Sequence, residues 1–188
     1  GYAGGLVATA SGSGTIQDSY ATGNVTSTNS GAFVGGLAGQ FSKPGGMNNV
    51  SATGTVSGGN RVGGLVGYYV SGGNLNRATA TGSVTGTDYV GGLVGDFVNS
   101  GTLSNSEATG AVSGQNYVGG LVGSYYQSGA ATTLVARGNV TATTGYAGGL
   151  FGMWQYSTSL LDSEARGTVR GAHHAGAAAD SPRRPITR

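Results

Sequence analysis

Seven carboxylates and two adjacent histidines are the side chains with which this chain could do acid–base or metal chemistry. The acidic residues are Asp18, Asp88, Asp96, Glu107, Asp162, Glu164 and Asp180. Glu107 and Glu164 occupy equivalent positions two repeats apart, and stacked repeats would separate them by about 10 Å. That distance is at the upper limit for the two carboxylates of an inverting glycoside hydrolase. Since almost no other charged residues cluster with them, we favour solvated carboxylates in turns over a catalytic pair.

The other motifs of catalysis and cofactor binding are missing from the sequence. His173 and His174 are neighbours, so a strand would point them to opposite faces, which disfavours chelation of one metal ion by both. There is no Gly-x-Ser-x-Gly nucleophile elbow, no phosphate-binding Gly-x-x-x-x-Gly-Lys and no calcium-binding nonapeptide. We therefore expect no enzyme activity, no metal and no cofactor. Asn24, Asn49 and Asn139 begin Asn-Val-Ser/Thr sequons, which are weak evidence for glycosylation in so threonine-rich a chain.

A ladder of hydroxyl side chains recurs beside the motif Ala-Thr-Gly-x-Val. Its threonines are Thr22, Thr26, Thr53, Thr55, Thr81, Thr85 and Thr109. The array resembles the threonine ladders of ice-binding solenoid proteins, so ice binding is one alternative function. Against it, Arg137, Arg166 and Arg170 interrupt the ladder in the last repeats. Threonine pairs across strands also have a structural use, because each stabilises stacked strands by roughly 0.2–1 kcal/mol.

An aromatic residue follows five of the repeated leucines by four positions. These residues are Phe41, Tyr69, Phe97, Tyr125 and Trp154. If they were exposed, Tyr69, Phe97, Tyr125 and Trp154 would form an apolar strip suited to association. If the following turn folds the rings back, they cover the core instead, and this second interpretation is the one we favour.

All these positions are set by a repeat of about 28 residues. Copies of the segment Val62-Gly63-Gly64-Leu65-Val66-Gly67 place leucines at positions 6, 37, 65, 93, 121 and 150, with steps of 31, 28, 28, 28 and 29. The valine of Ala-Thr-Gly-x-Val follows each leucine by 19 residues, and all variation in length falls between that valine and the next leucine. The fixed distance from leucine to valine predicts a packed part of the coil. The variable distance from that valine to the next leucine predicts a surface loop.

Three short strands per repeat are predicted. They cover the Val-Gly-Gly-Leu-Val-Gly segment, the residues around the position ten after the leucine, and Ala-Thr-Gly-x-Val. Helices are excluded, because each glycine in a helix interior costs about 1 kcal/mol and the apolar residues are largely valine and tyrosine. The predicted fold class is all-β: a parallel β-solenoid of about six coils of 28 residues, stacked at roughly 4.8 Å into a rod of roughly 29 Å.

One glycine recurs without exception in the third predicted strand. The column is Gly23, Gly54, Gly82, Gly110, Gly138 and Gly167. Strand alternation should point Ala80, Gly82 and Val84 inward and the hydroxyl residues between them outward. A side chain at Gly82 is therefore predicted to overpack the interior or to strain the backbone.

Composition excludes several classes of protein. Forty glycines and 9% charged residues would suggest disorder if the glycines had no period. The net charge is only +2, with no dense basic patch interleaved with aromatic residues, so no nucleic-acid partner is expected. No run of about 18 apolar residues occurs, so no membrane span is expected. Without cysteine, the composition gives no indication of a redox compartment.

The repeats continue without a break in composition, so residues 1–170 are expected to form one elongated unit. Residues 171–180 align with a degenerate start of a seventh coil, or a cap. Residues 181–188 contain two prolines and three arginines and are predicted to be a disordered tail. The chain begins at Gly1, inside a repeat, and we expect it to be a piece of a longer protein.

The glycine–leucine segments resemble the GLUG motif, and Ala-Thr-Gly-x-Val is similar to its usual partner segment. The resemblance is carried by Gly36-Leu37-Ala38-Gly39, Gly64-Leu65-Val66-Gly67, Gly92-Leu93-Val94-Gly95, Gly120-Leu121-Val122-Gly123 and Gly149-Leu150-Phe151-Gly152. It covers about residues 1–170. GLUG arrays occur in large bacterial surface and secreted proteins: filamentous-haemagglutinin-like adhesins, other exoproteins, and non-catalytic parts of certain immunoglobulin-A-cleaving metallopeptidases.

The resemblance implies a non-catalytic structural or adhesive segment, extracellular or on the bacterial cell surface. The partners it implies are neighbouring solenoid segments of the parent protein and, for adhesion, a host surface, a glycan or a second copy. No catalytic residue carries over, because the zinc-peptidase motif His-Glu-x-x-His is absent. Two alternatives are an ice-binding solenoid that uses the threonine ladder and a fragment of a polysaccharide-acting β-helix enzyme.

Overall fold

Each repeat forms one coil of a parallel β-solenoid, as the period predicts. The computed structural model describes residues 1–176, with only the backbone described for residues 174 and 175. Within that range all regular elements are strands, and each pairs in parallel with the equivalent strand of the next coil. The register is the one set by the repeat, for example Leu75 with Leu103. The predicted fold class, a solenoid of about six coils, is confirmed.

Four sheets run along the rod, whereas three strands per coil were predicted. Sheet A consists of Tyr2–Gly4, Phe33–Gly35, Arg61–Gly63, Tyr89–Gly91, Val118–Gly119, Tyr146–Gly148 and His174–Gly176. Sheet B consists of Val7–Ser11, Ala38–Ser42, Val66–Val70, Val94–Val98, Val122–Tyr126 and Phe151–Gln155. Sheet C consists of Ile16–Ala21, Met47–Ala52, Leu75–Ala80, Leu103–Ala108, Ala131–Ala136, Leu160–Leu161 and Glu164–Ala165. Sheet D consists of Val25–Thr26, Val56–Ser57, Val84–Thr85, Val112–Gly114, Val140–Ala142 and Val169–Gly171.

Two of the three predicted strands are each divided by a corner of the coil. The predicted first strand breaks at its glycine–leucine pair, where a strand of sheet A ends at Gly63, and sheet B begins at Val66. The predicted third strand is also interrupted, because Ala80 ends sheet C and Val84 begins sheet D. Leu65 is fully buried at the first corner. This explains why both faces of the glycine–leucine segment carry apolar residues: the segment is two strands with opposite orientations.

The buried side chains form two apolar clusters that run along the rod. The larger cluster combines the corner leucines with residues of sheets B and C, and it includes Leu65, Val66, Tyr69, Leu75 and Ala78. The smaller cluster combines valines of sheets A and D, including Val56, Val62, Val84 and Val90. In the middle coils these residues are almost completely buried. Leu6 in the first coil is 48% exposed, because no preceding coil of this chain covers it.

A residue with positive φ recurs once in each coil of sheet C. The column is Asp18, Asn49, Arg77, Asn105, Thr133 and Asp162, with φ between 48° and 55°. Its conformation lets two consecutive residues face outward, so that Leu75, Ala78 and Ala80 are the buried positions of their strand. The alternation of buried and outward-facing residues therefore shifts by one residue within each strand of sheet C. Asn and Asp adopt this conformation more readily than other residues, which accounts for four of the six positions.

Thr133→Asn is expected to stabilise the protein by about 1 kcal/mol, because a β-branched residue is strained at positive φ and asparagine is not. Thr133 is exposed, so the exchange leaves the core unchanged. Equilibrium unfolding in guanidinium chloride measures the difference. The control is Thr132→Asn at the extended neighbouring position, which should be neutral or slightly destabilising. Equal effects at the two positions would contradict the strain argument.

The last described strand continues the stack beyond the sixth coil. His174–Gly176 pairs with Tyr146–Gly148, and residue 174 stands opposite Tyr146. This is the register expected for the start of a seventh coil. Asp180 and the tail predicted at residues 181–188 lie outside the described residues. Within residues 1–176, no helix is long and apolar enough to cross a membrane.

Candidate functional site

The two acidic residues considered as a catalytic pair each form an ion pair with a different arginine. Glu107 and Glu164 lie in one column, with Val135 between them. Glu107 forms an ion pair with Arg137, and Glu164 forms one with Arg166. Among the side chains of residues 1–173, no group of three or more histidine, cysteine or acidic residues could hold a metal ion.

The threonine ladder lies on the corner between sheets C and D. Thr22, Thr26, Thr53, Thr55, Thr81 and Thr85 are exposed, and Thr109 is half-buried. Thr81 follows the last residue of its sheet C strand, whereas Thr85 lies in a two-residue strand of sheet D. Ser57 Oγ donates a hydrogen bond to Thr26 Oγ1 at 3.1 Å. The hydroxyls therefore form separate rows around a corner, and Ser57 and Thr26 bond to each other along the rod.

We predict no ice-binding activity, because hydroxyl rows that turn a corner do not form one flat face. The purified protein should leave thermal hysteresis and ice-crystal shape unchanged. The Thr53→Tyr and Thr81→Tyr variants provide the comparison. Faceted ice crystals that become round again in these variants would make the ladder the functional site and contradict the prediction.

The predicted association strip is wrong, because its aromatic rings are core residues. Tyr69, Phe97 and Tyr125 are completely buried, and Trp154 packs, half-buried, against the same cluster in the sixth coil. Neighbouring rings stack at 4.7 Å between Tyr69 and Phe97, 5.0 Å between Phe97 and Tyr125, and 4.7 Å between Tyr125 and Trp154. The favoured alternative, in which the rings cover the core, is the observed one.

A second aromatic column, which the sequence argument did not single out, lies at the surface. It consists of the residue four positions before each leucine: Tyr2, Phe33, Arg61, Tyr89, Tyr117 and Tyr146. It faces the residue three positions after each leucine, in sheet B: Thr9, Gln40, Tyr68, Asp96, Ser124 and Met153. We call these two columns together the A–B seam. It is the only part of the described chain in which aromatic, cationic and buried anionic side chains come together.

Glycines bring the two sides of the A–B seam into contact. A Cβ atom on Gly67 would lie 2.5 Å from the backbone nitrogen of Val34 and 2.9 Å from the carbonyl oxygen of Arg61. Sheets A and B therefore touch backbone to backbone, and only glycine fits between them. Because the chain reverses at the glycine–leucine corner, side chains seven positions apart in sequence, such as Arg61 and Tyr68, meet across this contact.

Arg61 is enclosed by aromatic rings in the A–B seam. Its guanidinium carbon lies 4.9 Å from the ring centre of Phe33, 4.7 Å from that of Tyr68 and 5.2 Å from that of Tyr89. Its Nε donates a hydrogen bond of 2.7 Å to Asp96 Oδ2 in the next coil. Cation–π contacts of this kind each stabilise by about 0.5–1 kcal/mol at partly exposed sites.

Asp96 is the buried anion of the A–B seam, with 4% of its surface exposed. Burial raises the pKa of the Asp96 carboxyl, against the opposing effects of Arg61 and of a hydrogen bond with Ser124. Burial, together with the Asp96 charge, also raises the pKa of Tyr68 and Tyr89. The phenols of Tyr68 and Tyr89 are therefore neutral at physiological pH.

Beyond Arg61 the outer column is an ordered stack of tyrosines. The ring centres of Tyr89 and Tyr117 are 5.3 Å apart, and those of Tyr117 and Tyr146 are 5.5 Å apart, with nearly parallel planes. Their faces are covered by one another, so that the stack presents ring edges and hydroxyl groups to its surroundings. Tyr146 is 45% exposed. Such a surface can bury apolar area and form hydrogen bonds with a partner.

The sequence does contain a signal for the seam. An aromatic residue precedes five of the six leucines by four positions. What the sequence could not reveal is that this column faces Asp96 and Tyr68, because that requires the corner at Gly64 and Leu65.

Comparison with protein-family models gives a match to the first coil. The family model described as the GLUG motif matches residues 1–26. Comparison with curated proteins and with solved structures gave no significant match. The matched residues form the first coil, which contains Gly5-Leu6 and Ala21-Thr22-Gly23-Asn24-Val25. This chain therefore carries a GLUG motif in its first coil, followed by coils that repeat the same glycine, leucine and valine positions.

Proposed function

We propose that the chain is a non-catalytic shaft segment of a bacterial surface or secreted protein, and that the A–B seam is its adhesive side. The observation that supports a shaft is the unbroken stacking of backbone groups. The amide nitrogen of Leu37, Leu65 and Leu93 donates to the carbonyl oxygen of the leucine in the following coil at 2.8 Å in each case. A rod joined in this way at every coil is suited to hold other regions at a distance.

Hydrogen bonds that side chains make between neighbouring coils also join the coils into a continuous rod. Asn60 Nδ2 and Asn116 Nδ2 donate to the two carboxylate oxygens of Asp88, at 2.9 Å and 2.7 Å. Ser100 Oγ and Ser128 Oγ each accept a hydrogen bond from a backbone amide of the preceding coil. These polar side chains thus join neighbouring coils, which supports a structural, non-catalytic role.

An adhesive role is supported by the exposed edges of the tyrosine stack. Tyrosine is enriched in binding surfaces because its ring is apolar and rigid while its hydroxyl forms hydrogen bonds. The candidate partners are a host surface, a glycan or a second copy of the chain. The location on the cell surface or outside the cell is part of the proposal.

Beads coated with the purified protein test the adhesive role. Their binding is measured on epithelial cells, on a glycan array and on beads that carry the same protein. We expect binding to at least one of these, and its loss when Tyr117→Ser and Tyr146→Ser are combined. The control combines Tyr20→Ser and Tyr156→Ser, since Tyr20 and Tyr156 are 71% and 78% exposed outside the seam. Binding that is absent, or equally reduced in both variants, would reject the seam as the adhesive side.

A further inference from the structure

Two of the three Asn-Val-Ser/Thr segments are placed alike on the rod. Asn24 and Asn139 occupy the same column, in the first and the fifth coil, on the corner between sheets C and D. Both side chains are exposed, while the valine after each is buried in the smaller apolar cluster. Four coil spacings separate them, or roughly 19 Å.

The two asparagines are also held in the same way. Asn24 Oδ1 accepts a hydrogen bond from the Thr55 amide at 2.9 Å, and Asn139 Oδ1 accepts one from the Thr168 amide at 3.0 Å. Within the described residues, Nδ2 of Asn24 and of Asn139 makes no hydrogen bond. Each side chain is thus anchored by its oxygen, and its nitrogen remains available at an exposed corner.

Asn49, in the third sequon, is also exposed and also precedes a buried valine, but its backbone conformation and the bonding of its amide nitrogen differ. Its backbone has a φ of 53°, and its Nδ2 donates a hydrogen bond of 2.6 Å to Asp18 Oδ1 in the preceding coil. To substitute this nitrogen, an enzyme would have to break a hydrogen bond to a charged group. In the folded structure, two of the three sequons therefore have an asparagine Nδ2 without a hydrogen bond, and in the third this nitrogen is hydrogen-bonded.

We propose that Asn24 and Asn139 are acceptor sites for a sugar and that Asn49 is not. The co-reactant is a nucleotide-activated sugar. The bond between its anomeric carbon and the phosphate oxygen breaks, and the electron pair leaves with the nucleoside diphosphate. A new bond forms from the anomeric carbon to Nδ2, and one Nδ2 proton passes to a base of the transferase. Oδ1 remains an acceptor, so the hydrogen bond to the next coil persists after modification.

The test uses the purified, folded full-length chain, a soluble asparagine glycosyltransferase and UDP-glucose. Peptide mapping by mass spectrometry follows the addition of hexose at each asparagine. We expect hexose at Asn24 and Asn139, and reaction at Asn49 about tenfold more slowly, because its nitrogen must first give up a hydrogen bond. Asn24→Gln and Asn139→Gln should each remove one hexose without affecting the other site.

Urea-denatured chain provides the comparison, since it lacks the contact between Asn49 and Asp18. There the three asparagines should react at similar rates. A folded chain without hexose at Asn24 and Asn139 would overturn the proposal, whatever the denatured chain does. Equal rates at all three asparagines in the folded chain would overturn it as well.

Discussion

Gly82→Ala is expected to destabilise the protein by about 3 kcal/mol, the upper end of the usual range for overpacking. A Cβ atom on Gly82 would lie 1.9 Å from the carbonyl oxygen of Gly54 in the preceding coil. Real Cβ atoms do not approach backbone this closely, so the two coils would have to separate and lose stacking hydrogen bonds. Guanidinium unfolding followed by circular dichroism measures the loss of stability, and hydrogen exchange should locate it at the two coils that adjoin the substitution.

Gly23→Ala is the matched control, because Gly23 belongs to the same column but has no coil of this chain before it. A Cβ atom there would meet nothing within 4 Å. Its φ lies outside the left-handed region, so alanine is tolerated, and the loss of unfolded-state entropy should stabilise by about 0.4–1 kcal/mol. Similar losses of stability at Gly23 and Gly82 would show that backbone conformation, and not the contact between coils, requires glycine.

Phe97→Ala is expected to cost about 4 kcal/mol of folding free energy, in the middle of the range for a buried phenylalanine. Phe97 is fully buried between the rings of Tyr69 and Tyr125. These two rings cannot easily close the cavity, because Tyr69 Oη donates to the Gly73 carbonyl at 3.1 Å and Tyr125 Oη to the Gly129 carbonyl at 2.9 Å. Equilibrium unfolding measures the effect.

Tyr117→Ala serves as the comparison for Phe97→Ala. Tyr117 is also stacked between two rings, Tyr89 and Tyr146, but it is half-exposed in the A–B seam. Its loss should cost less than about 2 kcal/mol, because mainly the ring contacts disappear and no closed cavity forms. If Tyr117→Ala were as damaging as Phe97→Ala, the seam would be part of the core, and its proposed role in adhesion would lose its basis.

The direction in which the invariant glycines point cannot be predicted from strand alternation. The column that contains Gly82 was predicted to point into the interior, because a strand alternates with a period of two. The structure turns the missing side chain along the rod axis, toward Gly54 of the neighbouring coil. Glycine is therefore required by the contact between coils and not by packing in the interior, because Ala80 and Val84 belong to different sheets and the residues between them form a corner.

The period of the sequence by itself determined the solenoid, the register and most of the core. Equivalent positions recur about every 28 residues. Stacking them therefore satisfies the backbone hydrogen bonds of each coil and buries the same apolar columns along the rod. The composition also disfavours helices, because glycine and valine have low helix propensity, and all regular elements among residues 1–176 are strands.

Only the tertiary structure decided which columns face each other. Residues such as Arg61 and Tyr68 are close in sequence, but the periodicity of a strand cannot show that the chain reverses between them at Gly64 and Leu65. That reversal depends on glycines that let two backbones touch, and a positive φ in sheet C shifts the alternation again. These local departures from regular geometry placed Phe97 in the core and the A–B seam at the surface.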